Sequence, residues 1–222
     1  MRALLVCAAP VPGSEALLPR LAADVDLVVA VDGGGALCLT AGVVPDAVVG
    51  DFDSLSPGDL QRLLARGVEP HEYPADKDAS DLELAIVEVR RRGATSITVT
   101  AALAGRLDHT LAALGVVCSA RDLVPHMVEP ELEAWVLSPE GRESIVLSGA
   151  DATLSVLAFG APAVVSAEGV IWKLDSARLT PESSRGLSNR IDSEGSARIS
   201  VHEGVALVLA PKVAGRGCVQ GT

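Results

Sequence analysis

Two aspartates one residue apart, Asp51 and Asp53 in the run VVGDFDSL at residues 48–55, are the part of this chain best suited to chemistry. An aliphatic run that stops at such a pair reads as a buried strand delivering two carboxylates to the crevice where open α/β sheets bind ligands. Two carboxylates at one point call for a cation. With oxygen donors only, and no Cys or His beside them, the fitting ion is Mg²⁺, which keeps several waters and bridges to substrate phosphates.

Three further acidic clusters hold the same kind of place, each just past a predicted strand: Asp32; Asp76, Asp78 and Asp81; and Asp108. Any one alone has a plain explanation, because Asp is common in turns and at helix N-caps. Together they are harder to explain. Two carboxylates about 4 Å apart repel by roughly 4 kcal/mol at an effective dielectric of about 20, so several converging without a cation would be costly. Asp78 and Asp81 stand three apart at a predicted helix start and can project from one side. Asp81 is the favoured ligand of the two, since Ser80 or Asp78 can serve as the cap.

The run GRLDH at residues 105–109 sets a guanidinium, a carboxylate and an imidazole at a strand-to-helix turn, where free N–H groups favour anions. Arg106 is a natural fork for a phosphate, with a salt bridge to a nearby aspartate as the plain alternative. His109 reads either as a general base or as an ordinary hydrogen-bonding residue. Gly33 and Gly34 follow Asp32 in a tight turn but do not form a dinucleotide fingerprint, and no P-loop motif occurs anywhere. Phosphate handling would therefore fall to a metal, Arg106, Lys77 and backbone N–H groups. Arg90, Arg91 and Arg92 read as a solvated helix end.

These side chains need a frame, and the first half of the chain supplies one. Up to about residue 123, short strand candidates at 3–7, 27–31, 44–50, 68–73 and 96–101, the first three aliphatic, alternate with helical patterns, which implies a parallel sheet with helices on its faces. Ser14 is expected to cap the first helix, Gly42 to close the second, and Ser56 with Pro57 to open the third. The clearest helix follows Pro74, with Leu82, Ile86 and Val89 on one face. Residues 111–117 form the body of the last.

Beyond Pro125 the texture changes to short alternating segments at 134–137, 144–147, 153–159 and 163–166, so this half is mostly β. Residues 197–202 and 205–209, separated by Glu203 and Gly204, read as a hairpin, and the end from residue 213 as frayed. The expected boundary lies between Pro125 and Pro130, giving an α/β domain at 1–125 and a β domain at 130–222.

Composition narrows the function classes. The 222 residues are 49% hydrophobic but only 2% aromatic, as suits aliphatic strands under helices. A net charge of −11 without a long basic run argues against nucleic acid or an anionic membrane surface as partner. Cys7, Cys38, Cys118 and Cys218 form no CxxC pair, so neither a zinc site nor a disulfide framework is expected. The apolar start is too short for a signal peptide, no stretch is long enough to span a bilayer, and a cytoplasmic protein with reduced thiols is expected.

In this order and spacing, DGG at 32–34, GDFDS at 50–54, KDASD at 77–81 and GRLDH at 105–109 resemble the thiamine pyrophosphokinase family. The segment VIWKLDSARLTPESSRGLSNRI at 170–191 is similar to that family's stretch in which an aromatic flanked by aliphatics precedes a Ser-Asn pair. The resemblance implies an N-terminal α/β catalytic domain, a C-terminal β-sandwich, and a homodimer with active sites at the subunit interface. It implies transfer of a diphosphate from ATP to thiamine with release of AMP. Carried over by motif, Asp51, Asp53, Asp81 and Asp108 become the Mg²⁺ carboxylates, with Arg106 beside them. The segment before GDFDS and the loop at Asp32, with Gly33 and Gly34, would lie near the nucleotide, while Lys77, Asp78 and His109 are binding candidates on their own chemistry. Trp172 matches the aromatic that stacks on thiamine, and Ser188 with Asn189 the pair lining its pocket. A flat cation suits an indole face, although ordinary sheet packing would also account for a Trp. Two readings from other classes compete: a non-catalytic sensor of thiamine or its diphosphate, and another Mg²⁺-dependent phosphoryl or nucleotidyl transferase.

Overall fold

The computed structural model describes residues 1–212 and 220–221. The chain forms two compact units, one of Met1–Val116 with Met127–Pro130, the other of Val117–His126 with the chain from Glu131 onward.

In the first unit, strands β1 (Arg2–Val6), β2 (Leu27–Val31), β3 (Ala47–Gly50), β4 (Glu69–Glu72) and β5 (Ser96–Thr100) alternate with helices α1 (Ser14–Ala23), α2 (Gly34–Thr40), α3 (Pro57–Leu64), α4 (Asp81–Arg91) and α5 (Leu107–Ser119). With β6 (His126–Glu129) the strand order is β6-β5-β1-β2-β3-β4. The pairings of β1 with β2 and β5, of β2 with β3 and of β3 with β4 are all parallel. β2, β3 and, after Arg2, β1 are continuously aliphatic and buried because both their faces are covered, whereas the edge strand β4, EPHE, is largely exposed. Leu4, Val6, Val28, Ala30 and Val48 share a core with Leu18 of α1, Cys38 and Leu39 of α2 and Leu63 of α3. The alternate set, Leu5, Val29 and Val49, is just as buried, and α4 packs on these three strands.

Helix punctuation follows the residue chemistry with one exception. Ser56 accepts from the N–H of Asp59 with Pro57 behind it, and Ser80 forms a full capping box with Glu83. Gly42, at φ 72°, takes the left-handed position after α2. Ser14, however, is the first helical residue and not the cap: Gly13, at φ 89°, holds that place without a side-chain bond. The arginines at the end of α4 also differ from expectation. Arg91 and Arg92 both bond the buried Glu88, and Arg92 reaches on to Glu69 of β4, so Arg92 is not a solvated end.

The second unit is antiparallel. One sheet runs β12 (Asn189–Arg190), β9 (Thr153–Ala158), β14 (Ala206–Pro211), β7 (Leu132–Leu137); another runs β11 (Leu174–Leu179), β10 (Ala163–Glu168), β13 (Ser196–Glu203), β8 (Ser144–Ser148), β15 (Gln220–Gly221). Trp135, Leu154, Val156 and Val208 from the first share one core with Ile145, Val165, Leu179 and Ile199 from the second, which makes this unit a β-sandwich. The predicted hairpin of residues 197–209 does not form. β13 pairs with β10 and β8, whereas β14 pairs with β7 and β9. Each strand has an apolar face to bury, and the turn at Gly204, φ 75°, sends the chain from one sheet to the other. A Cβ there would meet the Pro162 carbonyl oxygen at 2.5 Å. The end from residue 213, read as frayed, lies outside the described residues apart from β15.

Candidate active site

Open parallel sheets bind ligands where the strand order reverses, at the carboxyl ends of the strands. Here the chain runs outward from β1 through β2 and β3 to β4, then returns to β5 on the other side of β1. A cavity of about 830 Å³ opens there, lined among others by Cys7, Asp32, Asp51, Asp53, Lys77 and Asp81.

Local backbone geometry aims the carboxylates. Asp32 at φ 45° and Phe52 at φ 62° adopt the left-handed region, sparsely used by non-glycine residues and found where surroundings over-determine it. The ring of Phe52 packs against the core of the first unit, anchoring the turn between Asp51 and Asp53. Gly50 is required beside them. A Cβ on it would stand 2.9 Å from the Asp32 Cβ and 3.3 Å from Asp81 Oδ1. As a result, carboxylate oxygens of Asp32, Asp51 and Asp53 lie within 4.8 Å of one another.

The surroundings treat these acids unequally. Asp32 Oδ1 is buried without a hydrogen-bond partner, and burial is the main cause that pushes its carboxyl above the usual range. Asp51 is held below that range, chiefly by the N–H of Asp53 and then by Lys77. The Lys77 ammonium lies 2.8 Å from Asp81 Oδ1 and 3.4 Å from Asp51 Oδ2, a positive charge set between two of the acids. Oxygen-only donors, a buried unpartnered carboxylate oxygen and a cation already drawn to the cluster fit a hard divalent ion such as Mg²⁺.

Other predicted residues are placed differently. Asp108 is exposed and paired at 2.6 Å with Arg106, which is the first cause of its carboxyl falling to about 2. Arg106 and His109 line the cavity, but Asp108 is not among its lining residues, and neither is the exposed Asp78. Gly34 is a packing glycine: a Cβ would stand 1.9 Å from the Val6 carbonyl oxygen, so its absence brings α2 onto the end of β1. Gly33 lines a neighbouring hollow that shares residues 8–10 with the cavity.

In the second unit Trp172 is 58% exposed, and its chain neighbour Ile171 and Leu187, just before the Ser-Asn pair, are exposed as well. Asn189 is buried, and its amide holds the backbone of Trp172 from both sides: Nδ2 donates to the Trp172 carbonyl at 2.7 Å, and Oδ1 accepts its N–H at 3.2 Å. Ser188, at φ 53°, is exposed and donates its N–H to Ser155 Oγ. Sequence reasoning missed Glu129, whose buried carboxylate accepts the N–H groups of Ala101, Ala102 and Leu103 at the cavity wall. It also missed Cys7, whose thiol is pushed up to about 12 by burial and then by the Glu129 charge.

Comparison with known proteins supplies the deciding observation. Residues 18–127 match the model of the thiamin pyrophosphokinase catalytic domain, and residues 144–206 match that of the thiamin pyrophosphokinase vitamin B1 binding domain. The chain belongs to the thiamin pyrophosphokinase family. A thiamine pyrophosphokinase of Bacillus subtilis is 33% identical over 102 residues, which is 45% of this chain and 48% of that protein. The aligned segment thus spans about half of that relative. Solved structures show the family fold over nearly the whole length. Thiamine pyrophosphokinase from Bacillus subtilis superposes with a TM-score of 0.79 at 20% identity, covering 96% of this chain and 100% of that one. The enzyme from Candida albicans gives 0.77 at 14% identity, covering 96% and 89%.

Proposed function

We propose that this chain transfers a diphosphate group from ATP to the hydroxyl of thiamine, releasing AMP, with Mg²⁺ held by Asp51, Asp53, Asp32 and Asp81. The observation that carries the reading is the convergence of three carboxylates within 4.8 Å at the switch point of a parallel sheet, in a chain of this family. In the reaction the thiamine oxygen attacks the β-phosphorus, the bond from that phosphorus to the oxygen shared with the α-phosphorus breaks, and the hydroxyl proton leaves to a base or water. Bound Mg²⁺ would neutralise charge on the phosphate oxygens. The chain's own contribution is positioning: Arg106 and Lys77 offer donors to phosphate oxygens, and the cavity walls hold the donor in line. Arg106 would exchange Asp108 for phosphate.

Trp172 would supply the face for the thiamine rings, with Asn189 fixing the backbone behind it and Ser188 at the rim. We place the working protein as a homodimer in the cytoplasm. The solvent-facing Leu107 and Leu111, one turn apart on α5, support a self-association surface, and free thiols at Cys7, Cys38 and Cys118 suit a reducing compartment. No helix among the described residues is long and apolar enough to cross a membrane.

The test is to incubate purified protein with thiamine, ATP and Mg²⁺ and to follow nucleotide and thiamine products together. Equimolar AMP and thiamine diphosphate, both lost with EDTA, is the expected result. ADP with thiamine monophosphate would assign a different bond, and tight thiamine binding without product would favour a sensor.

A further inference from the structure

The loop from Ala101 to Arg106 carries Arg106 into the cavity and leads into the first turn of α5, which carries His109 there, yet it begins at a residue in the left-handed region, Ala101 at φ 53°, and turns again at Gly105, φ 76°. Three successive N–H groups at its start point away from any strand partner. Backbone donors buried in this way need acceptors. Glu129, at the end of β6 and 3% exposed, provides them: Oε2 accepts from Ala101 at 3.0 Å, while Oε1 accepts from Ala102 at 2.8 Å and Leu103 at 3.2 Å. A concave row of N–H groups at such a strand end is an anion site. In this chain it is filled from within. The start of the loop also holds the segment that follows β1, because the Ala101 carbonyl accepts the N–H of Ala9 at 2.8 Å, just past the bond from the Cys7 N–H to the Thr100 carbonyl of β5 at 3.0 Å.

We propose that Glu129 is a positioning residue for the phosphate-transfer reaction: its buried carboxylate clamps residues 101–103 and so sets where Arg106 and His109 stand in the cavity. This rests on the function proposed above. A charged acceptor suits the task, since bonds to an ionised carboxylate are roughly twice as strong as neutral ones. Glutamine at the same place would turn one acceptor oxygen into a donor facing an N–H group. The neighbouring bond from Thr100 Oγ1 to the Val128 carbonyl, 2.7 Å, joins β5 to β6 without touching the loop and serves as the control.

The experiment combines amide hydrogen exchange with steady-state kinetics on the full chain. In the wild type the amides of Ala101, Ala102 and Leu103 exchange slowly although they lie beyond β5; fast exchange there overturns the clamp without recourse to any variant. In Glu129→Gln, exchange over residues 101–106 rises while that of β1 is unchanged. Its kcat falls by about a hundredfold, as for a displaced reacting group, with KM for thiamine near the wild-type value. Thr100→Val lowers thermal stability but leaves loop exchange and kcat as they were. If Thr100→Val reproduces the Glu129→Gln profile, the role is strand packing and the proposal fails. Slow wild-type amides in a protein that makes no AMP would overturn the reaction reading alone, because exchange needs no substrate.

Discussion

At the level of single residues, the acids of the cavity carry opposing demands. Asp53 contributes a carboxylate to the cluster, and its Oδ1 accepts the Ser54 hydroxyl at 2.9 Å, a bond an asparagine can keep. Asp53→Asn therefore removes a like charge at little structural cost. In metal-free buffer the variant is expected to melt above the wild type, while AMP production drops by at least about a hundredfold, an effect of the size seen when one electrostatic group is lost from an active site. A melting temperature below the wild type would mean that the cluster is not electrostatically strained. The residue types were legible in the sequence: Asp32, Asp51, Asp53, Lys77 and Asp81 do meet in one cavity. What was not legible was direction. Asp108 shares the motif logic of the others but is exposed and paired with Arg106, two residues away, outside the lining of the cavity. Asn189 carried a pocket-lining label by resemblance, yet its amide is engaged with the backbone of Trp172.

Among the elements, the end of α4 is tied to the edge strand β4 through one buried acid. Glu88, 4% exposed, accepts from Arg91 at 2.9 and 2.8 Å and also from Arg92, with His71 of β4 3.5 Å away. The Arg91 bonds are the first cause holding its carboxyl down at about 2. An unfolded glutamate titrates near about 4.3, so the folded protein binds the proton less readily than the unfolded chain. The stabilisation is thus fully present above about pH 4.3 and disappears as pH falls toward about 2. Glu88→Gln should be less stable than the wild type at neutral pH, with the gap in denaturant midpoint closing through that acid window. A gap independent of pH would assign Glu88 to packing alone. Most strands and helices of the first unit were readable because periodicity, caps and glycines agree there, although Ser14 is not the cap of α1 and β4, EPHE, has no aliphatic pattern. β13 and β14 were readable as strands but not as non-partners. A two-residue break with glycine has the same sequence whether the chain folds back within a sheet or crosses to another, and only the two buried faces decide.

For the molecule as a whole, the question is what covers its exposed apolar residues. Leu107 and Leu111 of α5 are 71% and 56% exposed, unusual for leucines on one helix face. Sedimentation equilibrium is expected to return a dimer mass, and Leu111→Glu to shift it toward the monomer. A monomer at all concentrations would leave that face to another partner. One consequence concerns the order in which the protein is made. The chain passes between its two units three times, and the short return at Met127–Pro130 brings Glu129 to the unit that began at Met1. During synthesis, which proceeds from the N-terminus, this unit cannot complete its sheet or close the loop at Ala101 until about residue 130 has cleared the ribosome. A nascent chain halted at residue 116, or a gene fragment cut there, would hold every acid of the cavity and still lack the carboxylate that fixes one of its walls.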